Sequence, residues 1–239
     1  MGIEFRVISN KSIAPNVYAL KLEGDAAAIT APGQFVNIKL PALFLRRPFS
    51  VAEYGADTMT IIYRVVGEGT KRMSRMAVGA TLDILIGLGN GFEMGVSRAP
   101  LIIGGGLGVP PLLALAKQFQ ENGVKPTALF GFASRKDAIL LEAFQLLCER
   151  VIVTYDAEGQ RVTDRLDEAV IGRDYIYSCG PVPMMRAIYR STRLDAQFSL
   201  ETRMGCGVGI CRGCTCETKA GASRICAEGP IFRREQLLW

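Results

Sequence analysis

Between residues 206 and 226 the chain concentrates five of its seven cysteines. Four of them, Cys206, Cys211, Cys214 and Cys226, follow the spacing C-x4-C-x2-C-x11-C. The segment beyond residue 200 is too short to bury a core of its own, so a covalent or metallic link has to hold it. The first three positions match the plant-type [2Fe–2S] ligand run, with a more distant fourth thiolate. Gly205, Gly207, Gly209 and Gly213 lie among them, where backbone N–H groups must approach a cluster closely. A structural zinc held by four thiolates is the alternative. Zinc ligands usually come as two short-spaced pairs, and here only one C-x2-C is present. Cys216 reads as a neighbouring or packed thiol, and Cys148, in an apolar run, as core.

The chain of 239 residues contains no histidine. Ser-His-Asp and Cys-His nucleophile systems, His-bearing zinc sites and imidazole acid–base steps are therefore excluded. The net charge of +5 is spread along the chain without a long basic block, which argues against a nucleic-acid partner. Met1-Gly2-Ile3-Glu4-Phe5-Arg6 carries charges where a signal peptide needs an apolar run, and clustered cysteines differ from a secreted disulfide scaffold. A cytoplasmic protein with reduced thiols is expected. The uncharged stretch between Arg98 and Lys117 holds Gly104, Gly105, Gly106, Gly108, Pro110 and Pro111. These would break a membrane helix, so a buried strand, a glycine turn and a helix are expected instead.

The first ninety or so residues read as six short strands, Glu4–Ser9, Asn16–Leu22, Gln34–Leu40, Phe49–Tyr54, Met59–Val66 and Thr81–Ile86, with one helix over Thr70–Val78. That spacing predicts a small antiparallel β-barrel. From Pro100 the pattern alternates. Leu101–Ile103, Thr127–Phe130, Val151–Tyr155 and Tyr175–Ser178 are apolar runs, separated by helical patterns at Val109–Gln120, Ala138–Glu149, Thr163–Val170 and Met184–Arg193. Such alternation predicts a doubly wound parallel sheet. The expected fold class is β plus α/β: a barrel over residues 1–97, an α/β domain over 98–200 and a small metal-bearing domain over 201–239.

Gly104-Gly105-Gly106-Leu107-Gly108-Val109-Pro110 follows a strand and opens a helix, so its N–H groups can face a pyrophosphate. The glycines do not fit Gly-x-Gly-x-x-Gly. Cys179-Gly180-Pro181 ends a later strand and would line the same crevice, though Cys179 reads equally well as a small buried hydrophobe. In the barrel, Arg47-Pro48-Phe49-Ser50 places an arginine where it can hold a phosphate. Ile62-Tyr63-Arg64 and Gly69-Thr70, at a helix start, follow.

In this order, Arg-Pro-Phe-Ser, Tyr-Arg-Val-Val-Gly-x-Gly-Thr, Gly-Asn-Gly-Phe, Gly-Gly-Gly-Leu-Gly-Val-Pro-Pro, Cys-Gly-Pro and the cysteine run, the chain resembles the ferredoxin–NADP reductase superfamily. Glu201-Thr-Arg-Met204-Gly-Cys206 through Cys214, closing on Cys226-Ala-Glu-Gly-Pro-Ile-Phe232, resembles the electron-transfer subunits of type B dihydroorotate dehydrogenases. The resemblance implies FAD in the barrel, with Arg47 to Ser50 on the flavin and its phosphates. It further implies Ile62 to Arg64 along the ring and ribityl chain, and Gly69 and Thr70 on the pyrophosphate. NAD would face Gly104 to Pro110 and Cys179 to Pro181, and Cys206, Cys211, Cys214 and Cys226 would hold the [2Fe–2S] cluster. Such a subunit pairs with an FMN-containing dihydroorotate dehydrogenase catalytic subunit, two of each in a heterotetramer, and passes electrons to NAD+ in pyrimidine biosynthesis. An exposed apolar patch within residues 204–232 is then expected.

Two positions depart from the pattern: Glu68 stands where a lysine is expected, and Ile86-Gly87 replaces Gly-Pro. Related alternatives are the flavin subunit of a NADH-dependent ferredoxin:NADP oxidoreductase, or of a sulfide or hydrogen dehydrogenase, and a single-chain NADH:acceptor reductase. Some of the former are expected to carry Asp at the first cluster position, where this chain has Cys206. A zinc-stabilised binding module leaves the glycine turns unexplained. Arg135-Lys136, after the second parallel strand, is either a 2′-phosphate site or a surface pair.

Overall fold

A computed structural model describes residues 2–239. The barrel is built from β1 (Ile3–Ala14), β2 (Val17–Glu23), β3 (Phe35–Ile38), β4 (Arg47–Ser50), β5 (Glu53–Tyr54), β6 (Thr58–Arg64), the short helix α1 (Glu68–Met73) and β7 (Thr81–Leu88). Its strands form one antiparallel sheet in the order β4-β3-β7-β1-β2-β6-β5. Period-two alternation puts Phe5 and Val7 of β1, and Leu20 and Leu22 of β2, in a core without solvent contact. The curl brings the first strand of this order against the sixth, where Phe49 and Tyr63 meet edge to face with centroids 6.0 Å apart. The expected strand Phe49–Tyr54 is interrupted at Val51-Ala52, whose N–H groups bond to the carbonyls of Gln34, just before β3, and Thr60 of β6.

The second sheet comprises β8 (Pro100–Gly105), β9 (Thr127–Phe132), β10 (Arg150–Tyr155), β11 (Tyr175–Cys179) and β12 (Asp195–Ser199), with α2 (Pro111–Glu121), α3 (Leu141–Leu147), α4 (Leu166–Ala169) and α5 (Val182–Ser191) between. The strand order β10-β9-β8-β11-β12 is parallel throughout and reverses direction of progress between β8 and β11. Alternate residues serve opposite faces: Ile102 and Phe130 pack with Leu112, Leu115 and Phe144 of α2 and α3, whereas Leu101, Ile103 and Leu129 pack with Leu166, Met185 and Ile188 of α4 and α5. Both faces are covered, which explains the near-continuous apolar runs.

The tail adds a hairpin, β13 (Thr215–Thr218) with β14 (Gly221–Arg224), and then β15 (Ile231–Arg233). The last of these was not anticipated from sequence: it pairs antiparallel with β12 and becomes the edge of the six-stranded sheet. Phe232, Leu237 and the half-buried Trp239 thereby share the α5-side core, and Phe198 meets the Trp239 ring at 5.2 Å. A three-residue strand with two apolar residues carries no periodicity to detect, and its partner strand likewise contains only two apolar residues.

The three parts are joined by specific polar contacts. Gln118 of α2 donates to the Tyr54 hydroxyl at 2.9 Å, and Lys117 pairs with Glu53. Asp174 accepts from Ser97 and from the N–H groups of Arg98 and Ala99, fixing the connection between the two sheets. Burial opposes ionisation of that carboxyl, yet these hydrogen bonds outweigh it and hold its pKa below the usual range. Asn90, after β7, fastens the tail: its N–H donates to the Gly229 carbonyl at 2.7 Å, its amide to Ile231 O at 2.9 Å, and its Oδ1 accepts from Ile231 N at 2.9 Å. Asn90→Ala should therefore destabilise the folded chain by about 1–2 kcal/mol. Thermal unfolding checks this, and an unchanged midpoint would contradict the clamp.

Candidate functional site

A cavity of about 940 Å³ opens where the barrel, the carboxyl ends of the parallel strands and the start of the tail meet. That is near the upper end for small-molecule sites. Pro48, Phe49 and Ser50 of β4 and Ile62, Tyr63 and Arg64 of β6 form one wall. Gly105, Gly106, Leu107 and Gly108, with Cys179, Gly180 and Pro181, form the opposite one, and Thr202 and Met204 close it towards the cysteine run. Motifs more than a hundred residues apart therefore share one space.

The sequence candidates divide within it. Thr70 reaches the cavity, but its hydroxyl already accepts from the N–H groups of Val66 and Gly67 at 2.9 and 3.2 Å, closing the first turn of α1. Arg47 and Gly69 sit behind the wall: Arg47 donates to the Leu45 carbonyl at 2.6 Å, and a Cβ on Gly69 would stand 3.4 Å from Arg47 Nε. Glu68, the unusual residue, turns to Arg72 at 2.8 Å, whose guanidinium holds its carboxyl below the usual range. Arg64 is different. It lines the cavity, and its Nε is buried with no hydrogen-bond partner, which a bound polar or anionic edge would satisfy.

On the opposite wall, Gly104, Val109 and Pro110 are buried supports for the turn and do not line the cavity. Val109 is wholly buried, and a Cβ on Gly104 would meet its Cγ2 at 2.8 Å. Gly108 is the most constrained: a Cβ there would stand 2.2 Å from the Cys179 carbonyl oxygen, so only glycine lets the turn after β8 touch the end of β11. This contact lies at the switch point, where ligands of open α/β sheets bind. Cys179 is 9% exposed, and burial pushes its thiol up to about 12. It is neutral at physiological pH and suits van der Waals contact with a ring rather than nucleophilic attack.

In the tail the four thiols fall into two pairs. Cys206 Sγ accepts from the N–H groups of Val208 and Cys211 at 3.4 Å, contacts that pull its pKa down to about 6, the Cys211 N–H being the largest cause. Cys214 and Cys226 are buried with sulfurs 3.2 Å apart, and Gly209 N donates to Cys226 Sγ at 3.1 Å. Two pairs of thiols ringed by N–H donors suit two irons, with two thiolates each. Cys216, on β13, stands apart and half-buried. The loop is seated on the barrel by Asn37 of β3, 1% exposed, which donates to the Cys206 carbonyl at 3.1 Å. Gly207, at φ +72°, lies so close that a Cβ would stand 2.4 Å from the Asn37 amide nitrogen. Beside the exposed Cys211, Val208 and Ile210 present apolar surface.

Several lining residues were not among the sequence candidates for the nucleotide groove. Ser199, Glu201 and Thr202 line the cavity where β12 ends, and Asp137, Asp156 and Arg161 line its far end beyond β9 and β10. An acidic residue directly after a parallel strand, such as Asp156, was the available signal. Asn37 was detectable only as a polar residue inside an apolar strand.

Residues 201–238 match the model of the iron–sulfur cluster binding domain of dihydroorotate dehydrogenase B. The dihydroorotate dehydrogenase B (NAD(+)) electron transfer subunit of Bacillus pumilus is 39% identical, over 97% of this chain and 96% of its own length. That of Fusobacterium nucleatum is 38% identical, over 95% and 94%. The chain belongs to this family of electron transfer subunits. Among solved structures, a NADH-dependent reduced ferredoxin–NADP oxidoreductase superposes with TM-score 0.86 at 27% identity, covering 98% of this chain and 90% of that one. Phthalate dioxygenase reductase shares the fold at TM-score 0.65 and 16% identity, covering 80% of this chain and 56% of its own. Family and fold thus match the β plus α/β architecture and the iron–sulfur tail.

The state of Cys179 is open to chemical test. With its pKa raised to about 12, and Cys148 likewise pushed to about 12 by burial, both thiols are protonated and shielded at pH 8. In the native protein both should stay unlabelled by iodoacetamide while urea-unfolded chain labels fully, as read by peptide mass spectrometry. Prompt native labelling of Cys179 would contradict its burial.

Proposed function

We propose that the chain carries electrons from a dihydroorotate-oxidising catalytic subunit to NAD+, with FAD in the barrel and a [2Fe–2S] cluster in the tail. The observation that carries this is the single cavity lined by β4 and β6, by the glycine turn and Cys179-Gly180-Pro181, and by the residues leading into Cys206. When bound, the flavin and the cluster supply the conversion between single electrons and the electron pair that NAD+ takes up. The protein's task is to hold, orient and shield. Phe49, with the buried Tyr63 ring packed behind it, offers an aromatic surface for a planar heterocycle, and the unpartnered Arg64 Nε offers a donor to its polar edge. The turn at Gly106–Gly108 presents N–H groups to a pyrophosphate, and neutral Cys179 gives a nicotinamide ring a flat, uncharged neighbour.

Cys206, Cys211, Cys214 and Cys226 act as the cluster ligands. The N–H donors of Val208, Gly209, Cys211 and Gly213 stabilise the thiolate charge that metal binding needs. Asn37 reaches the cluster loop from β3, which pairs with the strand bearing Pro48 and Phe49, so one rigid unit sets the separation of the two redox sites. The apolar Val208 and Ile210 beside Cys211 suit a protein partner, for which an FMN-carrying catalytic subunit, two of each chain, is the reading adopted. No histidine or paired carboxylate is needed, because the substrate's proton chemistry belongs to that partner.

Anaerobic co-expression with a dihydroorotate-oxidising subunit tests this. The complex should reduce NAD+ with dihydroorotate, whereas the chain alone should carry FAD, iron and acid-labile sulfide without oxidising dihydroorotate. Oxidation by the isolated chain, or a colourless zinc protein, would overturn the reading. Separately, Cys214→Ser should abolish the paramagnetic signal of the reduced cluster. Asn37→Leu, which removes one hydrogen bond, should keep the cluster but shift that signal.

A further inference from the structure

Arg224 ends β14, two residues before Cys226, and its guanidinium is committed on two sides. One edge belongs to Glu228. Nε donates to both carboxylate oxygens at 3.0 Å, Nη2 donates to Oε1, and the Arg224 backbone N–H adds a bond to Oε2 at 2.6 Å. The remaining nitrogen, Nη1, donates to the Gly209 carbonyl at 2.6 Å. The main chain closes the same turn around Cys226, since the N–H groups of Ala227 and Glu228 donate to the Arg224 carbonyl at 3.1 and 2.9 Å. Gly209 is therefore held from both ends: its N–H donates to Cys226 Sγ at 3.1 Å while its carbonyl accepts from the cation. No side chain fits there. Its φ is +83°, and a Cβ would stand 3.0 Å from Ala227 Cβ and 3.3 Å from Arg224 Nη1.

One glycine thus separates a fixed positive charge from a thiol proposed to bind iron. The carboxylate that offsets this charge bonds Nε and Nη2, so Nη1, the nitrogen it leaves free, is the one turned to the cysteine loop. The pair is part-exposed, 34% for the Arg224 side chain and 42% for Glu228, and ion pairs of this kind add little to stability. Both charges still act on a neighbour whose own charge changes. An added electron makes a centre held by four thiolates more negative, so a nearby cation favours the reduced form and a nearby anion the oxidised form.

We propose that Arg224 and Glu228 set the reduction potential of the cluster in opposite directions, Arg224 raising it and Glu228 restraining it. The inference rests on the cluster ligation proposed above, and the experiment separates the two. The flavin- and cluster-loaded chain is poised anaerobically over a series of potentials, and the paramagnetic signal of the reduced cluster is read at each. Arg224→Gln should lower the midpoint and Glu228→Gln should raise it. Each shift should amount to about three- to tenfold in the reduced-to-oxidised ratio at a fixed potential, tenfold being about 59 mV for one electron. Arg224→Lys, which keeps the charge, should stay nearer the wild type than Arg224→Gln, and the double Gln variant should return toward it. A clasp that only braces the loop predicts like behaviour of both single Gln variants, because either one breaks it. Midpoints that stay put, or that move the same way, overturn the assignment of potential alone. If Arg224→Gln loses its cluster, the Glu228→Gln midpoint decides: a rise supports the assignment and no rise overturns it. A wild-type chain without the paramagnetic signal overturns the cluster ligation and this inference together.

Discussion

The tail of this protein depends on a borrowed sheet edge. Residues beyond 200 contain too little apolar surface to fold alone, and the chain solves this by laying Ile231–Arg233 against β12. Phe232 then joins the α5-side core, Asn90 clamps the turn before the new strand, and Asn37 holds the cysteine loop on the barrel. The cluster loop is thus braced by both larger units at once. Their relative position, in turn, is fixed by Asp174, just before β11, which holds the connecting residues 97–99, and by the Gln118–Tyr54 contact.

The same economy governs the cavity. Gly108 lies so near the Cys179 carbonyl that a Cβ there would stand 2.2 Å from its oxygen, which packs the turn after β8 against the end of β11 at the switch point. On the facing wall, β4 presents Phe49 with the buried Tyr63 of β6 packed against it, because the sheet curls until these strands meet. Neither wall is a site in isolation. Electron transfer demands short, fixed separations between redox groups, and rigid strands on both sides serve that demand better than loops would.

Legibility in the sequence followed the physics of each signal. The parallel strands Leu101–Ile103 and Thr127–Phe130 were plain because burial on both faces forces continuous apolar runs. The iron–sulfur tail was plain because cluster ligation restricts cysteine spacing, and the family match over residues 201–238 agrees with it. Arg47 and Thr70, expected on ligands from their motif, bond their side chains to the backbone around them, with Thr70 also lining the cavity, a detail that local sequence does not record. Asp137, Asp156 and Arg161 were missed because they converge only through tertiary folding, and β15 because three residues on a sheet edge carry no periodicity. Helix ends also shifted: the Ala138–Glu149 pattern shortened to Leu141–Leu147, since Leu140 adopts a left-handed conformation at φ +62°.

Because β15 is both the sixth strand of the dinucleotide sheet and the continuation of the cysteine loop, iron supply and solubility become linked. A chain made under iron starvation has less to keep its tail in place, and release of the tail would bare the Asp195–Ser199 backbone, a ready template for strand addition by another molecule.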